Sequence, residues 1–68
     1  MEHQRIIRTR RTEDQQWYYL GIDGALFRYA EMAVRFAPGE AVERVESLTR
    51  DYPGRVFEDV PDGGDVQC

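Results

Sequence analysis

Two stretches near the start of the chain, Arg5–Arg11 and Gln16–Ile22, follow the two-residue rhythm of strands and are separated only by Thr12, Glu13, Asp14 and Gln15. So short and polar a connection predicts an antiparallel hairpin. A four-residue loop sets Arg11 opposite Gln16, Thr9 opposite Tyr18 and Ile7 opposite Leu20. Successive strand side chains point to opposite sides. One face therefore carries Ile7, Thr9, Tyr18, Leu20 and Ile22, and the other Ile6, Arg8, Arg10, Trp17 and Tyr19. A slip of one residue would flip every side chain. The register chosen is the one that gives a single apolar face.

Glu40–Tyr52 is the helix that covers this face. Ala41, Val45, Leu48 and Tyr52 recur at helical spacing with Val42 beside them. Pro38 suits a first turn, and Tyr52-Pro53-Gly54 stops the helix. The helix face Ala41, Val45, Leu48 and Tyr52 is expected against Ile7, Tyr18, Leu20 and Ile22. Arg55–Val60 reads as a short final strand.

The segment Ala25–Ala37 admits two readings. As a helix it gathers Arg28, Glu31 and Arg35 within about 60° of arc, leaving an apolar face that includes Leu26, Tyr29, Ala33 and Phe36. Asp23 would cap it, and Glu31 and Arg35 would form an i,i+4 pair. As a strand, Ala25–Phe36 would follow Asp23-Gly24, the favoured pair for a type I′ hairpin turn. Four alanines and the tight polar arc favour the helix, which we take as the expectation; the turn dipeptide and the aromatic residues favour the strand.

The expected fold is α+β: a single domain over residues 1–60, with an antiparallel sheet of about three strands packed against one or two helices, then a flexible tail over residues 61–68. Sixty-eight residues leave room for one core only, and a chain of that size buries only about 60% of its unfolded surface. One cysteine forms no internal disulfide, and no His/Cys cluster could hold a structural zinc. Good packing or self-association must supply the rest, so a homodimer competes with a stable monomer. No apolar run approaches the roughly eighteen residues of a membrane span. The N-terminus has only Ile6 and Ile7 behind its positive charge, unlike a signal peptide. With its unpaired cysteine the chain is expected to be cytoplasmic, without membrane association.

Charge is sorted along the chain. Residues 1–11 carry Arg5, Arg8, Arg10 and Arg11 against Glu2, a net of +3, while residues 40–65 carry eight acids against three arginines, within a total of −4. A basic strand and an acidic flank on one body can steer toward partners of either sign.

The inventory for catalysis is thin. His3 is the only histidine and lies in the N-terminal fringe, Cys68 is the last residue, and Ser47 has no histidine near it. A nucleophile or base needs an orienting partner. The carboxylate pairs Glu43/Glu46 and Glu58/Asp59 read as solvated surface. No enzyme activity, catalytic residue, metal site or cofactor is expected. Gly63-Gly64 resembles the C-terminal pair of ubiquitin-like carriers, but four residues follow it and nothing upstream carries their pattern.

Trp17-Tyr18-Tyr19 is the most informative local feature. Trp17 and Tyr19 share a face with Arg8 and Arg10, which permits cation–π stacking. That contact either solubilises an outer sheet face or forms an interface hot spot, where Trp, Tyr and Arg dominate. The acidic helix, with Glu40, Glu43, Glu46 and Asp51, is either a solvated face or a surface that docks on a basic groove. These eight residues are the candidate partner-binding set. Nucleic-acid binding through the arginines and Trp17 is the alternative, and the net charge of −4 counts against it.

In size, acidity and lack of catalytic residues the chain resembles phage-encoded inhibitors of host defence, anti-CRISPR proteins among them. The likeness is one of class and rests on no motif. It implies a non-enzymatic inhibitor or modulator of a larger protein complex, one that handles nucleic acid. Self-association through the outer face of Ile6, Trp17 and Tyr19 is a further expectation, opposed by the like charges of Arg8 and Arg10.

Overall fold

The computed structural model describes residues 4–62. The expected tail beyond Asp62, with Gly63, Gly64 and Cys68, and His3 at the other end lie outside the described residues. Strands β1 (Arg5–Arg11), β2 (Tyr18–Leu20) and β3 (Leu26–Phe27) are followed by helix α1 (Pro38–Asp51) and strand β4 (Arg55–Pro61). The fold is α+β. One antiparallel four-stranded sheet has the order β3-β2-β1-β4, and α1 packs on β4 and β1.

The first hairpin has the register that a four-residue loop dictates, with Thr9 opposite Tyr18 and Arg8 opposite Tyr19. Strand β2 is shorter than Gln16–Ile22 at both ends. At its start Arg10 Nη1 donates to the carbonyls of Arg11, Thr12 and Asp14, holding the turn as a compact loop. At its end the Leu20 carbonyl accepts from Val34 N–H at 3.0 Å, so a later segment takes over its pairing. The final strand returns to pair with the central strand β1 along its whole length, from Arg5↔Pro61 to Arg11↔Arg55, and forms an edge of the sheet.

Residues 25–37 do not form the expected helix. Asp23 (φ 58°) and Gly24 (φ 78°) are both left-handed, and Ala25 N–H donates to the Ile22 carbonyl at 3.1 Å. That is the tight turn of the strand alternative, because two consecutive residues at positive φ follow the twist of a hairpin. The strand after it lasts only for Leu26–Phe27. A short 3-10 turn over Ala30–Met32 then leads into an extended run, where Phe36 exchanges two 2.7 Å backbone hydrogen bonds with Arg5. Backbone partners on β1 and β2 outbid helical propensity here. The Glu31–Arg35 pair is accordingly absent, and Arg35 Nε bonds Asp62 at 2.8 Å instead.

Ile7, Phe36 and Ala41 form the buried core beneath α1, with Leu20, Val34, Val45 and Phe57 packed around them. Thr9 is fully buried on the same face, and its hydroxyl oxygen accepts from Arg55 Nε at 3.2 Å. Two expected core members fail: Ile22 lies on the hairpin turn and Tyr52 at the helix end, and both are exposed. Ile6, expected on the open outer face, is 0% exposed. Its cross-strand neighbour there is Val60. The Ala30–Met32 turn also packs on β2, with the Met32 carbonyl over Gly21. A Cβ at Gly21 would collide with the Phe27 ring, so this closure needs glycine.

Candidate functional site

The sheet face away from α1 carries one row that crosses all four strands: Phe27 on β3, Tyr19 on β2, Arg8 on β1 and Glu58 on β4. Trp17, just before β2, sits beside this row. Its ring lies under the Arg8 guanidinium at 4.1 Å and near that of Arg10 at 5.2 Å. Both cations also have hydrogen-bond partners of their own. Arg8 Nε and Nη2 donate to Glu58 Oε1 at 2.9 and 2.6 Å, and Arg10 is fastened to the three turn carbonyls. Trp17 and Tyr19 remain half-buried. Four of the eight candidate residues, Arg8, Arg10, Trp17 and Tyr19, thus meet in one ordered cluster.

Pairing β1 with β4 has a second consequence. It sets the basic strand beside the acidic end of the chain, so Arg5 pairs with Asp59 at 2.9 Å just as Arg8 pairs with Glu58. Arg11 lies 3.8 Å from Asp14. The basic patch expected from the first eleven residues is therefore largely answered within the protein.

The acidic helix fares differently. Glu40 is 4.0 Å from Arg44 one turn on. No ion pair among the described residues involves Glu43, Glu46 or Asp51, all exposed. The helix lies on the opposite side of the sheet from Trp17, so the eight candidates divide into two surfaces rather than one.

A feature that the sequence reading missed lies on the helix side. An open hollow of about 330 Å³ is bounded by Leu20, Leu26, Leu48, Tyr52 and Phe57, with Thr9 and Arg55 also lining it. Hairpin tip and helix end meet here only through the fold, and a helix over residues 25–37 would not have placed Leu26 at this hollow. Among the described residues no group of three or more His, Cys, Asp or Glu could hold a metal ion, and no helix is long and apolar enough to cross a membrane.

No protein family, curated protein or solved structure matches the chain.

Proposed function

We propose that this chain is a small non-enzymatic protein-interaction module whose contact surface is the outer sheet face around Trp17 and Tyr19. The observation that carries the reading is the Trp17 ring held against two guanidinium groups, each anchored elsewhere. Side chains ordered in advance lose little entropy on docking, and Trp, Tyr and Arg are the residues that dominate binding hot spots. The partner is a larger protein, and the module acts on it as an inhibitor or modulator of the anti-CRISPR type.

A second reading follows from the unpaired acids of α1. Glu43, Glu46 and Asp51 offer spaced carboxylates to a basic groove, such as one that receives nucleic acid in a larger complex. Direct nucleic-acid binding is the weaker alternative, because Arg5, Arg8 and Arg10 would have to leave their present partners to meet phosphates. Two measurements separate these readings. In a gel-shift series the protein is expected to leave DNA and RNA unretarded at low salt; retardation with a steep salt dependence would overturn the proposal. In affinity capture, the target held by the wild-type chain is expected to be lost with Trp17→Ala. Loss with Glu43→Lys and retention with Trp17→Ala would move the contact to α1.

A further inference from the structure

Strand β4 is an edge of the sheet, and the pairing pattern shows which of its backbone groups face outward. Arg5 exchanges both its hydrogen bonds with Phe36, on the side of β1 away from β4. In an antiparallel ladder this orientation alternates along the strand. Ile6, Arg8 and Arg10 therefore bond to β4, through Val60, Glu58 and Val56. Arg55, Phe57, Asp59 and Pro61 turn their backbone groups to the free edge.

Two of those outward groups already have partners. Arg55 N–H donates to the Tyr52 carbonyl at 3.1 Å, and the Asp59 carbonyl accepts from Arg5 Nη2 at 3.1 Å. Among the described residues, what stays open between Arg55 and Asp59 is the Arg55 carbonyl, both groups of Phe57 and the Asp59 N–H. Pro61 has no N–H to offer.

We infer that this edge is the interface of a two-fold dimer, in which β4 pairs with β4 of a second copy in a register centred on Phe57. In that register Phe57 faces its own copy, and Arg55 faces the second copy's Asp59. The open groups then satisfy one another: Phe57 N–H with Phe57 carbonyl twice, and Asp59 N–H with Arg55 carbonyl twice. The two groups already satisfied, Arg55 N–H and Asp59 carbonyl, are the ones that would otherwise have met. Opposite charges are also matched at Arg55 and Asp59. Other centres lose this fit. Centring on Glu58 or Asp59 sets acid against acid, and centring on Val56 gives the Phe57 carbonyl only the spent Arg55 N–H. Self-complementarity of both hydrogen bonds and charge selects a second copy as the occupant. The result is a continuous eight-stranded sheet with both Trp17 clusters on its open side.

The inference stands apart from the proposed function, since the dimer leaves the outer face uncovered. It is tested by sedimentation of the full chain under reducing conditions. The disrupting variant is Val56→Glu. Within the chain Arg10 lies opposite position 56 and accommodates the new carboxylate, but across the dimer it meets Glu58. Wild type is expected to sediment as a concentration-dependent dimer whose melting rises with concentration, and Val56→Glu as a monomer with unchanged circular dichroism whose melting does not depend on concentration. Trp17→Ala is expected to remain dimeric. In a Cys68→Ser background, mixed Val56→Cys and Glu58→Cys chains are expected to form the mixed disulfide in preference to either like pair. A wild type that stays monomeric, a dimer that survives Val56→Glu, or one abolished by Trp17→Ala would overturn the inference. Equal cross-linking of all pairs would overturn the register.

Discussion

Strand β1 and helix α1 each carry four charges of one sign: Arg5, Arg8, Arg10 and Arg11 on the strand, Glu40, Glu43, Glu46 and Asp51 on the helix. On β1 every arginine is answered. Asp59, Glu58, the turn carbonyls and Asp14 take them in order. Among the described residues, Glu40 alone of the α1 acids has an ion-pair partner, and that partner is its own helix neighbour Arg44. A central strand has neighbours on both sides to neutralise it, whereas the outer face of a helix packed on a sheet has none. Charge written along a chain becomes charge on a surface only where the fold supplies no counterpart.

The strongest way to break this comparison is to remove the platform beneath β1. Ile7 is fully buried in the core, and Ile7→Ala is expected to destabilise the domain by about 2–5 kcal/mol, enough to unfold much of a marginal protein. Urea denaturation measures it; an unchanged midpoint would show that β1 is not anchored there. Leu48→Ala is expected to cost clearly less, because Leu48 lines the open hollow rather than the closed core.

A smaller effect tests the engagement itself. Arg8→Ala removes both the contact with Trp17 and the bond to Glu58, and a loss of about 1 kcal/mol is expected. Trp17 emission should shift to the red as the ring becomes more solvated. A double-mutant cycle between Arg8 and Glu58 should return a coupling of about 0.5–1 kcal/mol, since the pair is partly exposed. Zero coupling with no change in emission would place Arg8 among ordinary surface residues.

The smallest effect belongs to the helix. Glu43→Gln and Glu46→Gln are each expected to change stability by less than about 0.5 kcal/mol, as neither acid is paired. A larger loss in thermal denaturation would mean that these carboxylates have structural work, and the contrast with β1 would collapse.

Local chemistry in the sequence determined the parts of this protein that depend on near neighbours. The alternation of Arg5–Arg11, the four-residue turn and its Thr9–Tyr18 register, the stop at Tyr52-Pro53-Gly54 and the strand after it are all set by residues close in sequence. So is the meeting of Arg8, Arg10 and Trp17, because hairpin register alone brings them to one face. Tertiary structure decided the rest. Whether residues 25–37 coil or extend was settled by backbone partners at Leu20 and Arg5, which lie outside the segment. Ile6 is buried beside Val60 from the far end of the chain, while Ile22 and Tyr52, apolar in pattern, fell on a turn and a helix end. The basic start lost its independence for the same reason. The partners of Arg5 and Arg8 stand some fifty residues away, and only the placement of β4 beside β1 brings those carboxylates to their guanidinium groups.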